Sequence, residues 1–138
     1  MGAFTTTYLG SLRCENLHEQ SGTRILTDAP TDNHGMGSAF SPTDLCALSL
    51  TTCIVTTMGL YAQAKDLQIL AAEARTLKHM SSDPRRIGRI EIHLNLTVHE
   101  GFSDRDREGL TRVAHTCPVA RSLHPDIVQD VLISWTNR

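Results

Sequence analysis

The sequence predicts an α+β domain, and three features carry that prediction. Runs rich in β-branched and aromatic residues, separated by turn signals, fill the chain up to Thr27. An uncharged stretch from Leu45 to Ala64 follows a strong helix start. Further on, Ile90, Ile92, Leu94, Leu96 and Val98 alternate with Glu91, His93, Asn95, Thr97 and His99, the period of a half-buried strand. The chain has 138 residues, so a single domain over 1–138 is expected, long enough to bury a core without disulfide or metal staples.

Taken in order, Phe4 to Arg13 has the composition of a strand. Gln20-Ser21-Gly22 signals a turn, and Thr23 to Thr27 returns as the next strand. Asp28 to Gly37, DAPTDNHGMG, is loop by composition. The helix then begins with Ser41 at the N-cap, Pro42 at the first helical position and Asp44 three residues after the cap. It runs to about Lys65, and Ala47, Ser49, Gly59 and Ala62 would let another backbone approach closely. Leu67 to Met80 reads two ways: its Ala, Glu, Leu and Lys content favours helix, while Ala74 to Lys78 alternates as a strand would. Asp83-Pro84 marks the turn into the alternating strand. Ser103 caps a second helix, with Asp104, Asp106 and Glu108 near its positive end and Leu110, Val113 and Ala114 spaced for an inner face. Thr116-Cys117-Pro118 restarts a helix, and Val128 to Trp135 closes the chain as a strand.

Composition narrows the function. Lys plus Arg number 13 against 15 Asp plus Glu, a net charge of -2, which argues against a nucleic-acid footprint or a polybasic membrane surface. Aromatic residues are 4%, too few for a single-strand stacking platform. Met1 to Ser11 has no basic segment followed by an apolar run, so a cytoplasmic, reducing location is expected. Leu45 to Ala64 has the length of a membrane span. Its six polar residues, Ser49, Thr51, Thr52, Thr56, Thr57 and Gln63, and its globular-looking flanks favour the centre of a domain or dimer instead, with no membrane partner.

Under reducing conditions the four cysteines read as free, catalytic or metal-bound. Cys53 lies in the apolar helix. Cys117 lies at a predicted helix N-terminus, which stabilises a thiolate and lowers a cysteine pKa. A thiolate in a low-polarity pocket near a cation can attack a peroxide oxygen and become a sulfenic acid, which a second thiol closes to a disulfide. Spacing alone assigns neither cysteine to that task, and by cysteine count alone inert buried thiols are the favoured reading. Cys46, seven residues before Cys53 on nearly the same helix face, is an extra redox thiol or a packing residue; Cys14 reads as incidental. No CxxC or HExxH occurs, so no metal or cofactor is expected. His34 and His115 could face a site, His93 and His99 are expected to face solvent, and Asp104 to Glu108 reads as a solvated helix face.

Ser41-Pro42-Thr43-Asp44-Leu45, with Cys53 eight residues further on, and His115-Thr116-Cys117-Pro118-Val119 together resemble the OsmC/Ohr family of thiol-dependent peroxidases. Ser21 to Pro30 and Asp32-Asn33-His34-Gly35 fit the same pattern, so the resemblance runs from about Phe4 to Trp135. It implies an intertwined homodimer whose antiparallel strands wrap long central helices, with sites at the interface. It also implies strand character within Leu67 to Met80. By the same resemblance Cys53 is the peroxidatic cysteine and Cys117 the resolving one. An arginine from the first strand pair stabilises the thiolate; Arg13 matches best and Arg24 is the alternative. The implied partners are an organic hydroperoxide and a dithiol reductant of lipoyl type or a small thiol. In better-characterised hydroperoxidase members a glutamate ten residues before the helix cysteine pairs with the arginine; that position here is Thr43. Asp44 is one residue later, about 100° round the helix, and is a candidate for the same task, although capping with Ser41 already explains an acid there. The expected function is therefore organic hydroperoxide reduction through Cys53 and Cys117, with a dimeric binding module or redox sensor as the alternative that Thr43 favours.

Overall fold

The structure is a computed structural model describing residues 2–138. The chain divides into two compact units, one ending at Cys46 and the other beginning at Ala47.

The first unit is a three-stranded antiparallel sheet in the order β1-β2-β3: Phe4–Gly10, Arg13–His18 and Arg24–Asp28. The expected single strand from Phe4 to Arg13 is two strands. Gly10, Ser11 and Leu12 take φ of 85°, 55° and 65°, so the chain reverses there and Arg13 opens β2. A glycine inside a strand-like run was the available signal of a turn. After β3 the chain makes a 3-10 turn, Thr31–Asn33, and folds back on itself. A Cβ on Gly35 would lie 1.7 Å from the Ala29 carbonyl oxygen, so only glycine fits that approach. The fold-back is tied by Gly35 N–H to the Pro30 carbonyl at 3.0 Å and Gly37 N–H to the Ala29 carbonyl at 3.2 Å.

Helix α1, Pro42–Ala64, begins in the first unit and continues into the second. Its start forms as the sequence predicts: the Asp44 N–H donates to Ser41 Oγ at 3.0 Å, and the Ser41 N–H donates to the Asp44 carboxylate at 2.9 Å. By length and composition α1 could cross a membrane. Burial is confined to one stripe, Ala47, Leu50, Thr51, Ile54, Met58 and Ala62, rather than all round. Thr52, Thr56 and Leu60 are exposed, Leu60 by 62%.

The second unit holds β4 (Ile69–Ser81), β5 (Arg86–Val98) and β6 (Val128–Asn137), in that order in one sheet. The ambiguous segment is a full strand. Its pairing with β5 supplies a ladder of backbone hydrogen bonds, and that outweighs the helix preference of Ala and Glu side chains. β5 and β6 run parallel, which requires a crossover, and α2 (Asp104–Ala114) and α3 (Pro118–Ser122) make it. Ser103 caps α2 in a capping box with Asp106. The core consists of Ile90, Ile92, Leu94, Leu96 and Val98 of β5, the α1 stripe, Leu110 and Ala114 of α2, and Phe102. The Thr51 hydroxyl meets that of Thr76 at 2.6 Å, giving a part-buried polar pair. Tyr61 of α1 lies so close to Gly109 of α2 that a Cβ there would come within 2.2 Å of its hydroxyl oxygen.

Candidate functional site

All four cysteines are free thiols. The second unit brings two of them together. Cys53 sits half-buried on α1, one position before the buried Ile54. Cys117 is fully buried and is the N-cap of α3, where Pro118 fixes the first helical residue. Its sulfur accepts the Ala120 N–H at 3.4 Å. Burial pushes the Cys117 thiol up; the Ala120 N–H opposes this, and the Cys53 side chain, by hydrogen bond and by charge, pushes it up further. The lowered pKa expected of a helix N-terminus is therefore corrected. α3 has five residues, too short a helix for its dipole to outweigh the loss of water around the sulfur. The result is a neutral thiol held beside Cys53.

The first unit brings together a different pair. Arg13 and Asp28 are directly opposed in the β2–β3 register, so their side chains leave the same face of the sheet. Asp28 is 1% exposed. Its Oδ2 accepts the Ser38 N–H at 3.0 Å and the Ser38 hydroxyl at 2.5 Å. These two bonds, helped by the charge of Arg13, hold its carboxyl below the usual carboxylate range against the opposing effect of burial. Asp28 Oδ1 and Arg13 Nε are both buried without a hydrogen-bond partner. The alternative arginine, Arg24, is in an exposed ion pair with Glu15. Asp44 makes the capping box at the start of α1. Beside it runs a groove of about 730 Å³ between β3 and the segment before α1, lined by Ile25, Leu26, Phe40, Ser38 and Asp44.

The remaining candidates fall outside these clusters. His34 and His115 are exposed. His93 faces solvent and meets Glu91 at 2.5 Å, whereas His99 is half-buried and its ring accepts the Gly101 N–H at 3.0 Å. Cys46 and Cys14 are half-buried. Among the described residues no group of three His, Cys, Asp or Glu side chains is arranged to hold a metal ion. Asp28 was missed as a site residue in the sequence because its importance rests on strand register. That register depends on the reversal at Gly10 to Leu12, which the strand-like composition of Phe4 to Arg13 conceals.

The sequence pattern described as OsmC-like protein matches residues 35–131. No curated protein matches the chain. Among solved structures, a Psychrobacter arcticus 273-4 protein named for osmotic stress induction and a detoxification response is 42% identical, with 97% of this chain and 96% of that one covered at a TM-score of 0.87. The OsmC-like protein of Mycoplasma pneumoniae is 17% identical, with 99% and 97% covered at 0.77. The organic hydroperoxide resistance protein OhrB of Bacillus subtilis is 13% identical, with 97% and 98% covered at 0.67. At those two lower identities the likeness is one of fold. The matched pattern spans both cysteines and the whole of α1, and with the 42% identical relative it shows that the chain belongs to the OsmC family.

Proposed function

We propose that this protein is a thiol-dependent peroxidase that reduces organic hydroperoxides through Cys53 and Cys117. The observation that supports it best is the buried Cys117 thiol set beside Cys53, 64 residues away in sequence. Cys53, as thiolate, attacks the distal oxygen of ROOH; the O–O bond breaks, the sulfur is oxidised to the sulfenic acid, and the alkoxide takes up a proton and leaves as ROH. Cys117 arrives at the next step still protonated. Its sulfur displaces the sulfenic oxygen, its proton departs with that oxygen as water, and a Cys53–Cys117 disulfide forms. A dithiol of lipoyl type, or a small thiol, returns both sulfurs to the reduced state and is itself oxidised to a disulfide. Arg13 is the proposed cation that favours the Cys53 thiolate, and the half-buried Leu48 and Val55 of the same helix suit an apolar R group better than hydrogen peroxide.

The same reading makes the protein a cytoplasmic homodimer. Phe4, Tyr8, Leu9, Ile25, Leu26 and Phe40 of the first unit are each at least 40% exposed, and an exposed apolar set of that size favours a covering partner. The test is consumption of cumene hydroperoxide and of hydrogen peroxide with dihydrolipoamide or dithiothreitol, beside Cys53→Ser. Faster consumption of the organic peroxide, lost in the variant, is expected; equal consumption by the variant overturns the reading. Thr43 in the position of the family glutamate favours a second reading, a dimeric binding module or redox sensor. No turnover in that assay, with or without a Cys53–Cys117 disulfide under stoichiometric oxidant, would select it.

A further inference from the structure

We propose that Gln129 is the positioning residue for Cys117: its side-chain amide holds the Ala120 carbonyl, and through Ala120 it fixes the sulfur for the step that closes the disulfide. The inference rests on the peroxidase reading for the identity of that step, in which the Cys117 thiol displaces the sulfenic oxygen of Cys53 as water.

Four observations carry it. First, α3 has five residues, none of them buried, and a helix so short does not hold itself in place. Its position depends on what ties it down. Second, Ala120 has both backbone groups engaged: its N–H donates to Cys117 Sγ at 3.4 Å, and its carbonyl accepts from Gln129 Nε2 at 2.9 Å. That carbonyl lies in the last turn of α3, where a helix has no N–H of its own to offer, so the strand supplies the donor. Third, Gln129 pairs with Ile90 in the β5–β6 register, and its side chain leaves the sheet on the face of Ile90, which is 0% exposed. The residues that follow on that face of β6 are Val131, Ile133 and Trp135. An amide at the head of an apolar series calls for a partner, and the Ala120 carbonyl is that partner. Fourth, the thiol so held is the one beside Cys53, whose side chain is within hydrogen-bond reach of it. Gln129 thus acts on Cys117 through one residue: a shift of Ala120 moves the N–H that meets the sulfur. The same N–H favours the negative charge that Cys117 takes on as it gives up its proton.

The experiment adds one equivalent of cumene hydroperoxide to the wild-type protein and to Gln129→Met, which keeps the length of the side chain and loses its donor. Cys53 sulfenic acid is trapped with dimedone, the Cys53–Cys117 disulfide is read by peptide mass, and both are followed in time. In Gln129→Met the sulfenic acid should form at the wild-type rate and the disulfide roughly tenfold more slowly, so that the dimedone adduct accumulates. A disulfide formed at the wild-type rate overturns the proposal. So does an equal slowing of both steps, which a merely structural role would give. The wild-type protein supplies a readout that needs no variant. A Gln129 side-chain N–H should be protected from exchange in nitrogen-15 spectra, and free exchange of that amide overturns the proposal. Diamide, which oxidises two thiols to a disulfide and is itself reduced to the hydrazine, separates this inference from the peroxidase reading. If the wild type consumes no peroxide and diamide closes the disulfide more slowly in Gln129→Met, the peroxidase reading fails and the Gln129 tie stands. If peroxide is consumed and both oxidants close the disulfide at the wild-type rate in the variant, the tie alone fails.

Discussion

The sheet of the first unit and the sheet of the second follow opposite rules. In β5 every second residue from Ile90 to Val98 is an aliphatic side chain with at most 1% exposure, and the charged and polar residues between them face out. In β1–β3 the large apolar side chains are the exposed ones: Phe4 at 71%, Tyr8 at 63% and Ile25 at 46%. What the first sheet buries is polar, Thr27 and Asp28. The second unit therefore carries its own stabilising core, with Cys117 in it and Cys53 half-buried beside it. The first unit keeps a carboxylate out of water and leaves its large apolar side chains exposed. A core is built by hydrophobic burial, which is non-directional. Burying a carboxylate costs stability unless hydrogen bonds compensate, and at Asp28 the two bonds from Ser38 do so.

The largest effect that tests this contrast is chemical. Cys53→Ser should lower peroxide consumption by at least about a thousandfold, because the attacking atom is gone. Cys117→Ser should still consume one equivalent of cumene hydroperoxide per chain and then stall, leaving a sulfenic acid that dimedone traps. Full multiple turnover in that variant would remove Cys117 from the cycle.

Next comes the core. Ile92→Ala removes a side chain with 0% exposure and should cost about 2–5 kcal/mol in urea unfolding. Ile25→Asp, on the exposed side of the contrast, should instead act on assembly. The wild type is expected to sediment as a dimer and this variant to shift toward monomer; a wild type that is monomeric at every concentration breaks the comparison at its weaker half.

The buried thiol gives a pH effect with a definite sign. Its folded pKa is raised by burial, so the folded state holds its proton more tightly than the unfolded chain. Stability on its account is complete below the unfolded cysteine value, about 8.5, and falls as pH rises through the higher folded value. Cys117→Ala should flatten that alkaline decline in a denaturation series from neutral pH upward. An unchanged slope would mean that the sulfur is not desolvated in solution. The smallest effect is at the helix start, where Ser41→Ala should cost about 1 kcal/mol of stability with little change in peroxide consumption per folded chain.

Much of the fold was legible in local signals. Ser41, Pro42 and Asp44 announce α1, Ser103 and Asp106 announce α2, and the alternation in β5 shows its buried face; each depends on residues within a turn or two of one another. The ambiguous segment was not legible, because β4 is a strand on account of its pairing with β5, and the partner's identity is invisible from Ile69 to Ser81 alone. The split of the first strand at Gly10 was missed for a related reason: Ser11 and Leu12 adopt positive φ, a conformation that neither residue type advertises.

For the site the division is similar. The sequence by itself determined which residues carry the chemistry to be weighed: a cysteine inside an apolar helix, a cysteine before proline, an arginine near the first turn, and Asp44, whose capping role follows from its distance to Ser41. Only the tertiary structure decided that Cys117 stands beside Cys53, that its thiol is raised rather than lowered, and that Asp28 faces Arg13. Capping and periodicity are set by neighbours along the chain. Desolvation and cross-strand register are set by residues that folding brings together, and these decide the ionisation of a thiol and which side chains share a face of the sheet.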